Sequence, residues 1–516
     1  MLLPDAEAEL RTDHLVHDVG RRGVRGGVLT LGAQLAKLVI QISTVIILTR
    51  LLSPSAFGLI AMVSAISLVL DLVKELGLSA STIRKSDITH AQVSTLFWLN
   101  ALAGLALTAL LFAAAPLIAA FYHQPALVTV TRLLSLTFAL TGMCVQHWAL
   151  LRRQMRFGAV IFVDVGGEVF GFTLAIGLAL AGYGIWALVV QRLAAPAFAG
   201  AMCWILCRWR PGPPQFAEGT RELFNFGAAV SGVNVASSLS RSVDQVLIGW
   251  FWGPVILGLY DRASRLLIAP LNNFNPPLYA VAMPSFSRIA HQAERYRLGF
   301  REMLEKIAML MMPGAALVAV CSDWVVRILF GPHWSAAAPL VACFATVLVY
   351  QPLIQVVGLL YLTQDRAREM VRAALIDTGL CILAVVVALP LGANWVAASV
   401  AIVGLAIRLP IAFWLASRRG IVRFTDLATA VGPAAFATAC VALIGYLARQ
   451  MLAPSLPLGL QIAFVVGIGV ATSLTAFLVL PQSRQAIGRF ADFARMMVDR
   501  QETSLPDLRV VGETVT

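Results

Sequence analysis

The sequence predicts an all-α polytopic membrane protein of fourteen transmembrane helices: two six-helix bundles related by a parallel repeat, plus two C-terminal helices. Three observations predict it. Of 516 residues, 59% are apolar and only 13% charged, against about 25% charged in a soluble domain. Fourteen apolar stretches are each long enough to cross a bilayer, which takes about 20 residues of helix. Basic residues gather in alternate loops, as they do when cytoplasmic loops resist translocation. A mean hydropathy of +0.81 excludes disorder, a collagen-like fibre and a small disulfide scaffold.

Taken in order, the predicted spans are 29–51, 57–76, 94–119, 127–150, 160–181, 184–206, 224–250, 254–282, 304–330, 337–362, 371–391, 394–416, 427–448 and 458–480. The loops between them are short and leave no room for a separate soluble domain. Asp5, Glu7, Glu9 and Asp13 interrupt the first residues, so a signal peptide is not expected and the first apolar segment is read as a retained helix. The predicted division is 1–28 as a cytoplasmic N-terminal tail, 29–207 as an N-lobe of helices 1–6 and 208–417 as a C-lobe of helices 7–12. Residues 418–480 carry helices 13–14, and 481–516 form a cytoplasmic C-terminal tail.

Loop charges set the orientation. One series of loops carries Arg21, Arg22 and Arg25; Arg84 and Lys85; Arg152, Arg153 and Arg156; Arg208, Arg210 and Arg221. It continues with Arg288, Arg295, Arg297 and Arg301; Arg366, Arg368 and Arg372; Arg418, Arg419 and Arg423; and Arg484, Arg489, Arg495 and Arg500. The intervening loops hold little beyond Arg50, Arg327 and Arg449 at their edges. Both termini are therefore expected in the cytoplasm. Trp186, Trp250, Trp252, Trp334 and Trp395 at outer ends, and Trp148, Trp209 and Trp414 at inner ends, read as interfacial belts. The net charge of +12 follows from this loop bias. No basic run exceeds two residues, so nucleic acid is not expected as a partner.

The seven cysteines, Cys144, Cys203, Cys207, Cys321, Cys343, Cys381 and Cys440, all fall in apolar stretches. Cys203 and Cys207 share a helix face but have no His or acid near them in sequence, so buried thiols are expected rather than a metal site or disulfides. The seven histidines lie near span ends or loops and read as interface residues. Shifted by 200 residues, Gly27, Gly32, Ala36, Pro54, Gly58, Leu59 and Ser64 meet Gly227, Gly232, Ala236, Pro254, Gly258, Leu259 and Ser264. Both windows open a six-helix set running the same way through the membrane. Parallel repeats of this kind are a transporter architecture with substrate held between the halves.

Ionisable groups inside spans are costly, about 2.5–3.5 kcal/mol each at a helix centre. Lys37, Arg132, Arg192, Arg241, Arg262, Arg265 and Arg408 lie within spans, against Asp164, Glu168, Asp244, Asp261 and Asp377. These groups are expected to line a hydrated cavity or to pair across helices, and the excess is cationic. Arg241 and Asp244, three apart, either neutralise each other or serve a ligand. Asp164 and Glu168, one turn apart, are either solvated residues of a cytoplasmic mouth or a proton- or sodium-linked pair. Lys37 and Arg192 have no acid within one turn, which favours a ligand or cross-helix role. Counted from the outer ends, Arg192, Arg241 and Arg265 lie about 12–18 Å deep at 1.5 Å per residue.

The run Leu48-Thr-Arg-Leu-Leu-Ser-Pro-Ser-Ala-Phe-Gly-Leu-Ile-Ala-Met62 resembles the first-hairpin signature of Wzx-type polysaccharide-transport flippases. These are members of the multidrug/oligosaccharidyl-lipid/polysaccharide exporter superfamily. Arg50, Pro54, Phe57 and Gly58 carry that likeness. Helices 7 and 8 resemble the second signature through Phe226-Gly227, Asp244, Gly249, Gly253, Gly258 and Tyr260, continued by Pro270, Pro276 and Pro284-Ser-Phe-Ser287. The resemblance implies a non-enzymatic flippase of the bacterial inner membrane. It would move an undecaprenyl-diphosphate-linked oligosaccharide to the periplasmic leaflet for exopolysaccharide, capsule or lipopolysaccharide synthesis. Membrane lipid, a polysaccharide polymerase and a chain-length regulator are the implied partners, and no cofactor or metal is implied. Guanidinium forks suit diphosphate oxygens, so Lys37, Arg132, Arg192, Arg241, Arg265 and Arg408 are the expected headgroup ligands. Asp164, Glu168, Asp244 and Asp377 are the expected coupling or pairing residues.

No Gly-x4-Gly-Lys-Ser/Thr loop, His-Glu-x-x-His or Gly-x-Ser-x-Gly motif occurs in the sequence. A membrane glycosyltransferase or polymerase would need a long extramembrane loop, which the spacing of spans denies. A multidrug or cation antiporter of the same superfamily is the nearer alternative, and it would favour acids over bases in its cavity. The expected mechanism is alternating access, with helices 13 and 14 offering a groove for the lipid tail. Reporter fusions after about residues 222, 302 and 425 are expected to report cytoplasm, and those after about 252 and 393 periplasm. A periplasmic signal at 302 would overturn the fourteen-span order.

Overall fold

The computed structural model describes residues 19–75, 79, 82–83, 88–214, 220–451 and 457–480. Within helices, the backbone alone is described at 19–28, 31, 69, 71–75, 220–241, 273–277 and 280. The described chain is helical throughout. In order the helices are α1 Val19–Leu51, α2 Pro54–Glu75, α3 His90–Phe121, α4 Leu127–Gly142, α5 Val145–Arg153, α6 Phe157–Leu180, α7 Ile185–Leu206 and α8 Thr220–Arg288. They continue with α9 Ala293–Val320, α10 Ser322–Leu329, α11 Ala338–Thr363, α12 Ala367–Ala388, α13 Ala393–Val403, α14 Leu409–Ser417, α15 Phe424–Met451 and α16 Leu458–Val479. Among the described residues, twelve helical segments are long and apolar enough to cross a membrane. The predicted spans 57–76 and 224–250 are not among these; they fall on α2 and on the first part of α8.

Local chemistry explains several boundaries. At the start of α3, Thr89 Oγ1 accepts from Gln92 N while Thr89 N donates to Gln92 Oε1, at 3.3 and 3.2 Å. This capping box satisfies two otherwise orphaned donors. The spans predicted at 224–250 and 254–282 are two helices within α8 that meet at Gly253, whose φ of +77° is open to glycine and strained for other residues. The span predicted at 304–330 is instead α9, which begins at Ala293 and ends at Val320, with the short α10 following. Its polar first turns are helical although only its later turns are apolar, so a hydropathy window placed it too far along the chain. The 127–150 span is broken at Met143–Cys144 into α4 and α5.

The chain divides into two compact units. The first comprises Met1–Asn273, Val325–Val341 and Thr378–Val400; the second Phe274–Trp324, Ala342–Asp377 and Ala401–Thr516. In the first unit, α6 and α7 pack closely because Gly167 and Gly171 face Ala195, Ala199 and the Gln191 carbonyl. Small residues are what allow such approach between membrane helices. One buried cluster joins Val93, Leu96, Phe97, Leu150, Leu151, Cys203, Cys207 and Trp209. His147 lies there too, fully buried and stacked on Trp204 at 4.3 Å, with Phe97 and Trp209 edge-on. This corrects its reading as an interface residue, since its aromatic neighbours enclose it. Trp334 and Trp209 are likewise fully buried rather than interfacial, Trp334 donating to the Thr49 carbonyl at 2.7 Å. Trp250, Trp395 and Trp414 are exposed.

In the second unit, α9 packs along α15, and α15 along α16. Tyr296 stacks on Phe300 and hydrogen-bonds Thr363 at 2.6 Å, while Arg297 holds Asp426 from α15 through Nε at 3.0 Å and Nη2 at 3.1 Å. Between α13 and α14 the chain makes a π-helical turn, Gly404–Arg408, in which Leu409 N donates to Gly404 O five residues back. Pro410 follows and has no N–H to continue the α-helical ladder, which the wider turn accommodates.

The two hairpin signatures meet inside the first unit. A Cβ at Gly58 would overlap the Pro254 carbonyl, and a Cβ at Gly258 would overlap the Pro54 carbonyl. The contact is reciprocal between positions 200 residues apart. Gly58→Val and Gly258→Val are expected to lower thermal stability in detergent by about 1–3 kcal/mol or more, the usual cost of overpacking. Gly177→Ala, at a helical position with open space around it, is expected to be neutral or slightly stabilising. Thermal-shift curves of the three variants check this.

Candidate functional site

Eight intramembrane charges of the first unit come from four helices. Lys37 stands on α1, Asp164 and Glu168 on α6, Arg192 on α7, and Asp244, Asp261, Arg262 and Arg265 on α8. The glycine-mediated approach of α6 and α7 sets Glu168 and Arg192 within electrostatic range of each other. Packing of α1 on α6 does the same for Lys37 and Asp164, whose Nζ and Oδ2 are 3.1 Å apart. Asp164 also accepts from Trp148 Nε1 at 3.1 Å, and the Arg152 guanidinium lies 3.3 Å from the Trp148 ring.

Arg192 also feels Arg265, Arg262 and Asp261. Asp261 is wholly buried and holds both neighbouring guanidiniums. Arg262 donates through Nε and Nη2 at 3.1 and 2.6 Å, and Arg265 through Nε at 2.7 Å. Gln245 Nε2 adds a longer contact at 3.4 Å. Arg262 is further held 4.8 Å from the Phe57 ring of the first hairpin. Asp244 accepts from the Tyr260 hydroxyl at 2.9 Å and from Gln245 N at 2.8 Å. The motif residues thus have structural work. Phe57 backs Arg262, Tyr260 holds Asp244, and Arg50 donates to the Ile328 carbonyl. Gly249 leaves room for Leu257, Tyr122 and Met62, each 3.0–3.3 Å from where its Cβ would stand.

The remaining expected ligands lie elsewhere. Arg132 is exposed beside exposed Phe112, 4.9 Å from that ring, and joins none of these pairs. The Arg241 side chain lies outside the described residues. Arg408, in the second unit, is 8% exposed and grips Asp377 through Nε and Nη2, both at 2.7 Å, with Tyr350 Oη at 3.4 Å from Nη1. Gly404 admits the Tyr350 ring at the start of the π turn that ends in Arg408.

Sequence reasoning brought Arg192 and Arg265 to one place but left Asp261 and Arg262 out of the site. The signal was present: Asp261 and Arg265 are spaced i,i+4 on one helix, the spacing of facing side chains. The Tyr260–Asp244 bond crosses the break at Gly253 and had no such signal. The cationic excess also narrows. Around Arg192 it is three guanidiniums against Asp261 and Glu168. Adding Lys37, Asp164 and Asp244 gives four bases and four acids on α1, α6, α7 and α8 among the described side chains.

The chain is helical, with apolar segments long enough to cross a membrane and charged groups paired within them. It resembles the lipid II flippase MurJ in an inward closed conformation, with a TM-score of 0.67 at 12% identity over 88% of this chain and 98% of that one. It also resembles a multidrug resistance MATE family transporter of the MOP superfamily in an inward-facing conformation, with a TM-score of 0.58 at 12% identity over 78% and 99%. At such identities the likeness is one of fold. Residues 47–339 match the polysaccharide biosynthesis protein family, and the chain belongs to it. It is 29% identical over 299 residues to the teichuronic acid biosynthesis protein TuaB of Bacillus subtilis, covering 57% of this chain and 62% of that protein. It is 22% identical over 347 residues to the lipopolysaccharide biosynthesis protein WzxC of Escherichia coli, covering 66% and 70%. The chain thus spans about three-fifths of TuaB.

The Arg408–Asp377 pair gives a test of role. Arg408→Ala alone is expected to destabilise the protein by about 3 kcal/mol, because it strands a carboxylate. Arg408→Met combined with Asp377→Leu is expected to recover most of that loss. Thermal unfolding in detergent measures both, and equal losses in the single and double variants would contradict a pair whose role is mutual neutralisation.

Proposed function

We propose that the protein flips a lipid-linked oligosaccharide, held by its diphosphate, from the cytoplasmic to the periplasmic leaflet of the bacterial inner membrane. The observation that carries this reading is the convergence of Arg192, Arg262 and Arg265 within one unit. Arg192 makes no hydrogen bond or ion pair among the described residues, and Arg265 engages Asp261 through Nε alone. Two forks therefore retain donors for phosphate oxygens, which accept several charge-assisted bonds from a planar guanidinium. Membership of the polysaccharide biosynthesis protein family supports a sugar-bearing substrate.

In this reading the lipid is an undecaprenyl diphosphate and its tail stays in the bilayer. The chain crosses fourteen times with both termini in the cytoplasm, as lobes 29–207 and 208–417 with helices 13–14 appended. The reciprocal fit of Gly58 with Pro254 and Gly258 with Pro54 supports a parallel repeat, and with both termini cytoplasmic this contact lies at the outer side. Alternating access then requires that crossing to separate. Arg241 completes the headgroup set. Lys37, Arg132 and Arg408 do not, since Lys37 and Arg408 are held by carboxylates and Arg132 lies beside Phe112. A drug-exporting reading has the fold in its favour but not the arginine convergence. A polymerase and a chain-length regulator would act on the flipped product.

Arg192→Ala and Arg265→Ala are expected to abolish polymer export at normal protein level in the membrane. Lysine at either position is expected to restore it only in part, keeping charge but losing the fork. Export assays in a strain dependent on this chain, with immunoblots of the membrane fraction, check it. Normal export in both alanine variants would sink the reading.

A further inference from the structure

The Asp261 carboxylate holds two guanidiniums, Arg262 and Arg265, yet a ligand for guanidiniums would itself be anionic. Asp261 is 0% exposed, whereas the Arg265 side chain is 41% exposed. The bonds divide accordingly. Asp261 takes the Nε edge of Arg265 and leaves the two terminal nitrogens, which make no hydrogen bond among the described residues. It takes Nε and Nη2 of Arg262, which is pinned beside Phe57 and only 13% exposed. Arg262 is thus committed to the fold, and Arg265 with Arg192 is open to solvent.

We infer that Asp261 is a resident counter-anion: it neutralises Arg262 and Arg265 while the site is empty, and its negative charge opposes the phosphate when the site is filled. The inference rests on the proposed headgroup site and adds a determinant of release to it. Adjacent guanidiniums without an anion are strongly disfavoured inside a membrane, so the empty site needs this carboxylate. A bound diphosphate supplies the missing charge itself. The two anions then stand close to the same cations and repel each other across a few ångströms. Asp261 therefore lowers affinity in the loaded state and stabilises the unloaded one. A carrier needs both, since a ligand held too tightly is not released on the far side.

Binding of undecaprenyl diphosphate to the full-length protein in nanodiscs tests this, with polymer export measured in parallel. Asp261→Asn, which keeps the shape and removes the charge, is expected to bind roughly tenfold tighter or more and to export more slowly. Asp261→Glu, which keeps the charge, is expected to show no such gain in affinity. Without ligand, Asp261→Asn is expected to melt at lower temperature, and inorganic diphosphate is expected to raise its melting point more than that of the unaltered protein. If the variant cannot be purified alone, purification in inorganic diphosphate is expected to recover it where equal ionic strength of chloride does not. Equal or weaker binding in Asp261→Asn, or failure of diphosphate to recover the variant, overturns the inference while Arg192→Ala and Arg265→Ala still lose binding. Undiminished binding in those two arginine variants overturns the headgroup site itself, and the inference with it.

Discussion

An ionised side chain inside the hydrocarbon must be compensated by the protein, and the arrangement of this molecule follows from how each one is. Helix α6 brings Asp164 to Lys37, α8 turns Asp261 onto Arg262 and Arg265, and Asp377 of α12 meets Arg408 at the end of a π turn. The three solutions differ in kind. The Arg408 pair is bidentate and its arginine is buried. The Lys37 pair is partly exposed, at 27% and 23%. The Asp261 cluster has more cations than its carboxylate can occupy. The last has the largest cationic surplus, and that surplus is where recognition of an anion is physically reasonable.

The small residues of the helices make these pairings available. Gly167 and Gly171 bring α7 against α6, and Gly404 admits Tyr350. The hairpin signatures have the same character. Arg50, Phe57, Gly58, Gly258 and Tyr260 fix backbone approach and hold other side chains in place. Family resemblance in these runs therefore reports the scaffold, since these residues fix how helices approach and where neighbouring side chains stand.

Most spans were legible because about 20 apolar residues in succession have few other uses. What could not be read was where helices begin in polar sequence, as at Ala293, or where they bend, as at Cys144 and Gly253. Side-chain pairing was legible only where it is local. Asp261 and Arg265 share a helix face four residues apart, but Lys37 and Asp164 are 127 residues apart and Arg408 and Asp377 are 31. Sequence hydropathy treats all of these as equal costs. Packing decides which are cancelled and which are not. The same limitation placed His147 and Trp334 at an interface, because a polar or amphipathic residue near a span end looks alike whether water or aromatic rings surround it.

The crossing of the two hairpins also constrains how this chain can change. Each glycine fits the carbonyl of the other's proline, so neither hairpin carries its own half of the fit independently. A first hairpin acquired by recombination from a relative with a bulkier residue at position 58 would meet an unaltered Pro254, and the mismatch would fall on backbone atoms that no rotamer change relieves. Gene conversion between the halves, or exchange of one half between relatives, is therefore expected to preserve the two glycines together or to lose them together. The seam becomes a point of joint inheritance, and diversification is left to the side chains that lie away from it.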